Sequence, residues 1–163
     1  MSLEEAYFAS QIISAITVVV SVLYLAVQIR QTNQISRSAV VSELQKKYID
    51  FYNVVLSNED LATLLAKLTD PDYKTESGPE NQKLEILAML TGSIWFSAQT
   101  SFDQGLITTE TFKAYCEGVT ARLEQWPAMR PYLLKMFRRY PSQAGKPIFQ
   151  PIFKEHQEDQ IAV

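Results

Sequence analysis

The chain has 163 residues, a formal charge of −3 at pH 7, one cysteine and one histidine. That length suffices for a single domain with its own core. The acidic balance argues against nucleic acid as a partner, a lone cysteine excludes an intrachain disulfide framework, and one His with one Cys makes a poor beginning for a metal site.

From Ala6 to Ile29 no side chain is charged, and Ile12 to Val27 is interrupted only by Ser14, Thr17, Ser21 and Tyr24 among small or apolar residues. A helix crosses a bilayer with about 20 largely apolar residues, so residues 1–33 are expected to form a transmembrane helix. The leader Met1-Ser2-Leu3-Glu4-Glu5 is acidic and no Ala-x-Ala follows, which is unlike a secretory signal. Ser2 stands where a myristoyl anchor needs glycine, and no C-terminal Cys box is present. A buried core helix is the rival reading, because Ser10, Gln11 and Gln28 dilute the apolar run. No Lys or Arg precedes the run, whereas Arg30, Arg37, Lys46 and Lys47 follow it. That bias places the N-terminus outside and residues 34–163 in the cytoplasm, with Tyr7 and Phe8 at the outer interface and Arg30 snorkelling at the inner one.

The polar residues of this span are phased. Ser10, Ser14, Thr17, Ser21, Tyr24, Gln28 and Gln31 advance by alternating steps of four and three, the spacing of a heptad seam on one helix face. Small and hydroxyl-bearing residues let helices approach closely in lipid, so a homo-oligomeric seam is expected. Two rivals stand beside it. The hydroxyls can bond back to their own helix carbonyls, or several copies can arrange the stripe around a pore.

No Pro precedes Pro71 and no Gly precedes Gly78, so one helix is expected from Leu3 to about Leu56, or two with a bend near Asn33–Ser36. Asn58-Glu59-Asp60 has the chemistry of a new helix start, leading into Leu61, Leu64, Leu65 and Leu68. Asp70 to Glu80 reads as a loop, and Asn81 to about Asp103 as a third helix closed by Gly105. Its uncharged part, Ile86 to Phe102, is too polar for a second span and is expected to be a buried central helix. Gly92 is expected to admit a neighbour, the first helix, and Trp95, Phe96 and Phe102 could line an apolar pocket. Thr108 or Thr109 caps a fourth helix to about Gln125, broken at Trp126-Pro127. Pro131 opens a last helix through Tyr140, and Ile148-Phe149 with Ile152-Phe153 are placed to dock across the bundle. Residues from His156 onward are expected to fray. The fold class is thus all-α: a long transmembrane helix continuing into a cytoplasmic bundle of about four further helices.

Between Gln125 and Lys154 the charges are all basic, whereas acids dominate Glu59 to Glu85. These halves are expected to complement each other. The alternative sets Arg30, Arg37, Arg130, Arg138 and Arg139 against anionic lipid. Cys116 reads as an inert helical thiol, no Gly-rich phosphate loop occurs, and no acid/base pair is spaced for chemistry. The expectation is a non-enzyme without cofactor.

The passage Leu23-Tyr24-Leu25-Ala26-Val27-Gln28-Ile29-Arg30-Gln31-Thr32-Asn33, after a Val/Ile-rich stretch, resembles the start of a widespread group of small uncharacterised bacterial single-span membrane proteins with a YLAxQIRQ-type junction. Gly105-Leu106-Ile107 and Trp126 fit the later outline of that group. The resemblance implies a bacterial inner-membrane protein and carries no activity or site residue. The function expected is that of a self-associating, membrane-anchored scaffold or accessory subunit, with membrane lipid and a larger membrane-protein complex as partners. A channel or transport component, and a lipid- or small-ligand-sensing module, are the alternatives.

Overall fold

The computed structural model describes residues 3–75 and 77–153, which places the tail from His156 outside the described residues. Every regular element among them is helical: α1 (Leu3–Leu56), α2 (Glu59–Lys67), α3 (Pro79–Asp103), α4 (Thr109–Gln125), α5 (Arg130–Phe137) and α6 (Pro141–Ala144), with 3-10 turns at Pro127–Met129 and Pro147–Phe149. The chain divides into two compact units, Met1–Ala39 and Val40–Val163.

The first unit is helix alone. α1 passes through Asn33–Ser36 without interruption, since nothing there breaks the hydrogen-bond ladder. Its apolar side chains are left open among the described residues: Ile12, Ile16, Val19, Val22 and Leu23 are all more than half exposed. Among the described residues this is the one helix long and apolar enough to cross a membrane, with a mean hydropathy of 2.4 in its apolar window and none of that window buried.

The second unit has a continuous core. Leu44, Phe51 and Val55 of α1 are buried and Tyr48 and Tyr52 partly so, the three-and-four spacing of one helix face. Asn58 caps α2 by accepting the Leu61 N–H at 3.2 Å. Thr108 caps α4 by accepting the Thr111 N–H at 3.2 Å. α3 lies at the centre, with Leu84, Leu87, Ala88, Trp95 and Ala98 almost fully buried, so its uncharged stretch serves the core. It ends in a left-handed Gly105 (φ 70°), where the Leu106 N–H reaches the Ser101 carbonyl at 2.9 Å and the Gly105 N–H reaches Phe102 at 2.9 Å.

Two expectations are corrected. Gly92 admits α5 rather than α1: a Cβ there would overlap Met136 Cε and come within 3.8 Å of Leu133. The last helix does not run through Tyr140. It ends at Phe137 in a tightened turn, with Arg139 and Tyr140 N–H groups bonding Met136 and Phe137 carbonyls, because Pro141 disfavours helical backbone at Tyr140. Beyond it Ile148, Phe149 and Ile152 are fully buried, and the Phe149 ring packs 4.3 Å from that of Phe137. Gln99, 2% exposed, fixes this crossing by accepting the Ile148 N–H at 3.4 Å while donating to Asp103 at 2.9 Å.

The charge halves meet in part. Lys135 binds Glu85 across them at 2.6 Å, Lys146 turns to Asp103 (2.7 Å) outside the acidic stretch, and Lys67–Glu80 (2.6 Å) and Lys83–Asp60 (2.9 Å) settle acids locally. The lysine hydrogen bonds hold all four carboxyls below their ordinary range. A depressed folded-state pKa means the contribution is whole above the unfolded value and is lost as pH falls through the folded one. Thermal stability is therefore expected to hold down to about pH 4 and to decline below it. A melting temperature that rises on acidification below that point would contradict these pairings.

Candidate functional site

The candidate features include the polar stripe of α1, the arginines, and a groove between α3 and α5. In the stripe, three hydroxyls are turned onto their own helix. Ser10 donates to the Tyr7 carbonyl at 2.8 Å, Thr17 to Ile13 at 2.8 Å and Ser21 to Thr17 at 2.7 Å. Gln28 Nε2 donates to the Tyr24 hydroxyl at 2.8 Å, one turn away. These bonds lower the cost of placing hydroxyls in hydrocarbon, and each oxygen keeps acceptor capacity for a neighbouring helix. Ser14 and Gln31 lie exposed on the same face.

The arginines are divided between the two units. Arg30 and Arg37 are exposed on α1. Arg130 is half-buried at the start of α5, where burial pulls its guanidinium pKa down. Arg138 and Arg139 are exposed beyond the other end of that eight-residue helix, about 12 Å along its axis.

A sixth arginine escaped the sequence reading. Arg122 on α4 lies between the rings of Tyr52 (4.9 Å) and Trp126 (5.0 Å), half-buried, with its pKa lowered by burial. Beside it Tyr48 stacks on Tyr115 at 6.1 Å, and burial pushes the Tyr48 phenol up to about 12, against a smaller lowering from the Trp95 indole. The step of four from Arg122 to Trp126 was legible, but the arrival of Tyr52 from α1 was not. Each cation–π contact contributes on the order of 0.5–2 kcal/mol, so this cluster is a clamp within the core.

The expected pocket is displaced. Trp95 is fully buried, and Phe102, partly buried, stacks on Phe112 at 4.1 Å, so neither lines the groove. Phe96 instead faces a groove of about 380 Å³ lined by Glu85, Met89, Gly92, Ser93, Phe96, Tyr132, Lys135, Met136, Phe137, Arg139, Tyr140 and Gln143. Glu85, Tyr132 and Lys135 separate it from a second cleft of about 320 Å³, whose other walls include Lys74, Thr75 and Asn81. Sequence reasoning missed this groove because it depends on α5 crossing α3 at Gly92.

Cys116 is half-buried, and burial, with Glu117 adding to it, pushes its thiol upward, away from a reactive thiolate. Among the described residues no three His, Cys, Asp or Glu side chains gather in a way that could hold a metal ion. No protein-family model matches the chain, and no curated protein or solved structure matches it either.

Proposed function

We propose that this chain is a non-catalytic, membrane-anchored protein of the bacterial inner membrane, whose N-terminal helix spans the bilayer once and associates with further copies. The remaining residues then form a cytoplasmic helical bundle that acts as a scaffold or accessory subunit in a larger membrane-protein complex. The observation that carries this reading is an apolar helical window of which no residue is buried. Such a helix is unstable in water and needs lipid or other helices around it. Its Ile, Val and Leu side chains together favour insertion by on the order of 5 kcal/mol. Exposed Arg30, Arg37, Arg138 and Arg139 suit an anionic leaflet at about 1 kcal/mol each, while half-buried Arg130 is the weakest member of that set. The YLAxQIRQ-type junction supports the same topology.

Self-association rests on the phased stripe. In a Cys116→Ala background, cysteine at Ser14 or Ser21 is expected to form interchain disulfides in native membranes, whereas cysteine at lipid-facing Val19 or Val22 is not. Monomers at both stripe positions would remove the seam from the proposal. The size of the crosslinked species also separates the scaffold from the channel: a dimer leaves no lumen, while a ring of four or more copies would favour a pore.

A further inference from the structure

The α3–α5 groove exposes apolar side chains that no described residue covers. Met89 and Phe96 on α3 are 56% and 43% exposed, and Tyr140 beyond α5 is 58% exposed. Singly such residues are ordinary, but here they converge with Met136 on one concave space of about 380 Å³. Clefts that hold small molecules run from about 300 to 1,000 Å³. Two of the walls are methionines, whose unbranched thioethers reshape readily around a flexible chain. Met136 rests over Gly92, which leaves room only because it has no Cβ, and turning that thioether away would deepen the groove.

Charge sits at the rim. Lys135 and Arg139 both line the groove, and Glu85 is the carboxylate facing them. Lys135 is bound to Glu85 at 2.6 Å, and Arg139 acts on the same carboxyl electrostatically, so two cations face one acid. An apolar trough with an excess of cation at its rim matches a single hydrocarbon chain with an anionic head. We infer that the groove binds a long-chain fatty acid, its hydrocarbon against Met89, Phe96, Met136 and Tyr140 and its carboxylate held by Arg139 and Lys135 in competition with Glu85. The groove lies wholly within Val40–Val163, so the inference stands apart from the membrane anchor.

The test is photolabelling of the full chain in neutral phosphatidylcholine vesicles with a long-chain fatty acid carrying a diazirine near its methyl end. Label is expected on α3 and α5 at Met89, Phe96, Met136 or Tyr140, and unlabelled oleate should compete where the alcohol of equal length does not. Met89→Glu, which charges an exposed wall without touching the core, should abolish that label with the melting temperature unchanged. Lys135→Gln with Arg139→Gln should weaken it at least about tenfold, and Glu85→Gln should strengthen it. Label confined to the apolar part of α1, equal competition by the alcohol, or label unaffected by Met89→Glu would each overturn the assignment. Equal labelling of the groove by a photoreactive phosphatidylcholine would also overturn it, since the occupant would then be bilayer lipid.

Discussion

Lysine at both Val19 and Val22 is expected to drive the chain out of the membrane fraction, while leucine at the same positions leaves it there. Both valines are more than half exposed, so little packing is lost on replacing them. Lysine near the middle of a span costs about 2.5–3.5 kcal/mol, against a small gain for valine, so the pair shifts insertion by on the order of 6–8 kcal/mol. That exceeds the total favourable term proposed for the span. Lysine is a good helix former, so α1 itself should persist, and the effect isolates lipid contact from secondary structure. The readout is the fraction retained in membranes after alkaline extraction. Full retention of the double-lysine chain would mean that the exposed face is covered by something other than hydrocarbon.

Phe149→Ala is expected to cost about 3–5 kcal/mol, the range for deleting a fully buried aromatic side chain. Phe149 is completely buried and packs on Phe137, and the segment holding it is fixed to α3 through the Ile148 N–H and Gln99. In the detergent-solubilised chain this should lower the melting temperature by about 10 °C or more. Tyr140→Ala, at a residue 58% exposed, should change it little. Equal effects of the two substitutions would deny that the segment after α6 is part of the core.

The helices were legible because their punctuation is local. Asn58, Thr108, Gly105 and Pro127 act within a turn of where they stand, and each marks a boundary that the structure keeps. The burial of the uncharged stretch of α3 was legible from its composition, and so was the docking of Ile148 and Phe149. What failed depends on which helix meets which. Gly92 announces a close approach without naming the partner, so α5 could not be told from α1. The groove inherits that ambiguity, since Met136 and Arg139 are residues of α5 and its exit turn. Ion pairs were legible only as complementary stretches, because local lysines at Lys67 and Lys83 took two of the acids first. For the stripe, phase identifies a face, yet the hydroxyls of Ser10, Thr17 and Ser21 satisfy themselves on their own backbone, so a second helix is an addition that spacing alone does not demand.

In the proposed topology the apolar helix spans a bilayer with the Val40–Val163 unit on the cytoplasmic side. Single cysteines at Ser2 and at Ser142, each in a Cys116→Ala background, report it most directly when intact cells and then opened cells are treated with a membrane-impermeant thiol reagent. The expected result is labelling of the Ser2 position from outside in intact cells, and of the Ser142 position only after the membrane is opened. Labelling of both positions only after opening, or of both in intact cells, would place the two ends on one side and contradict the span.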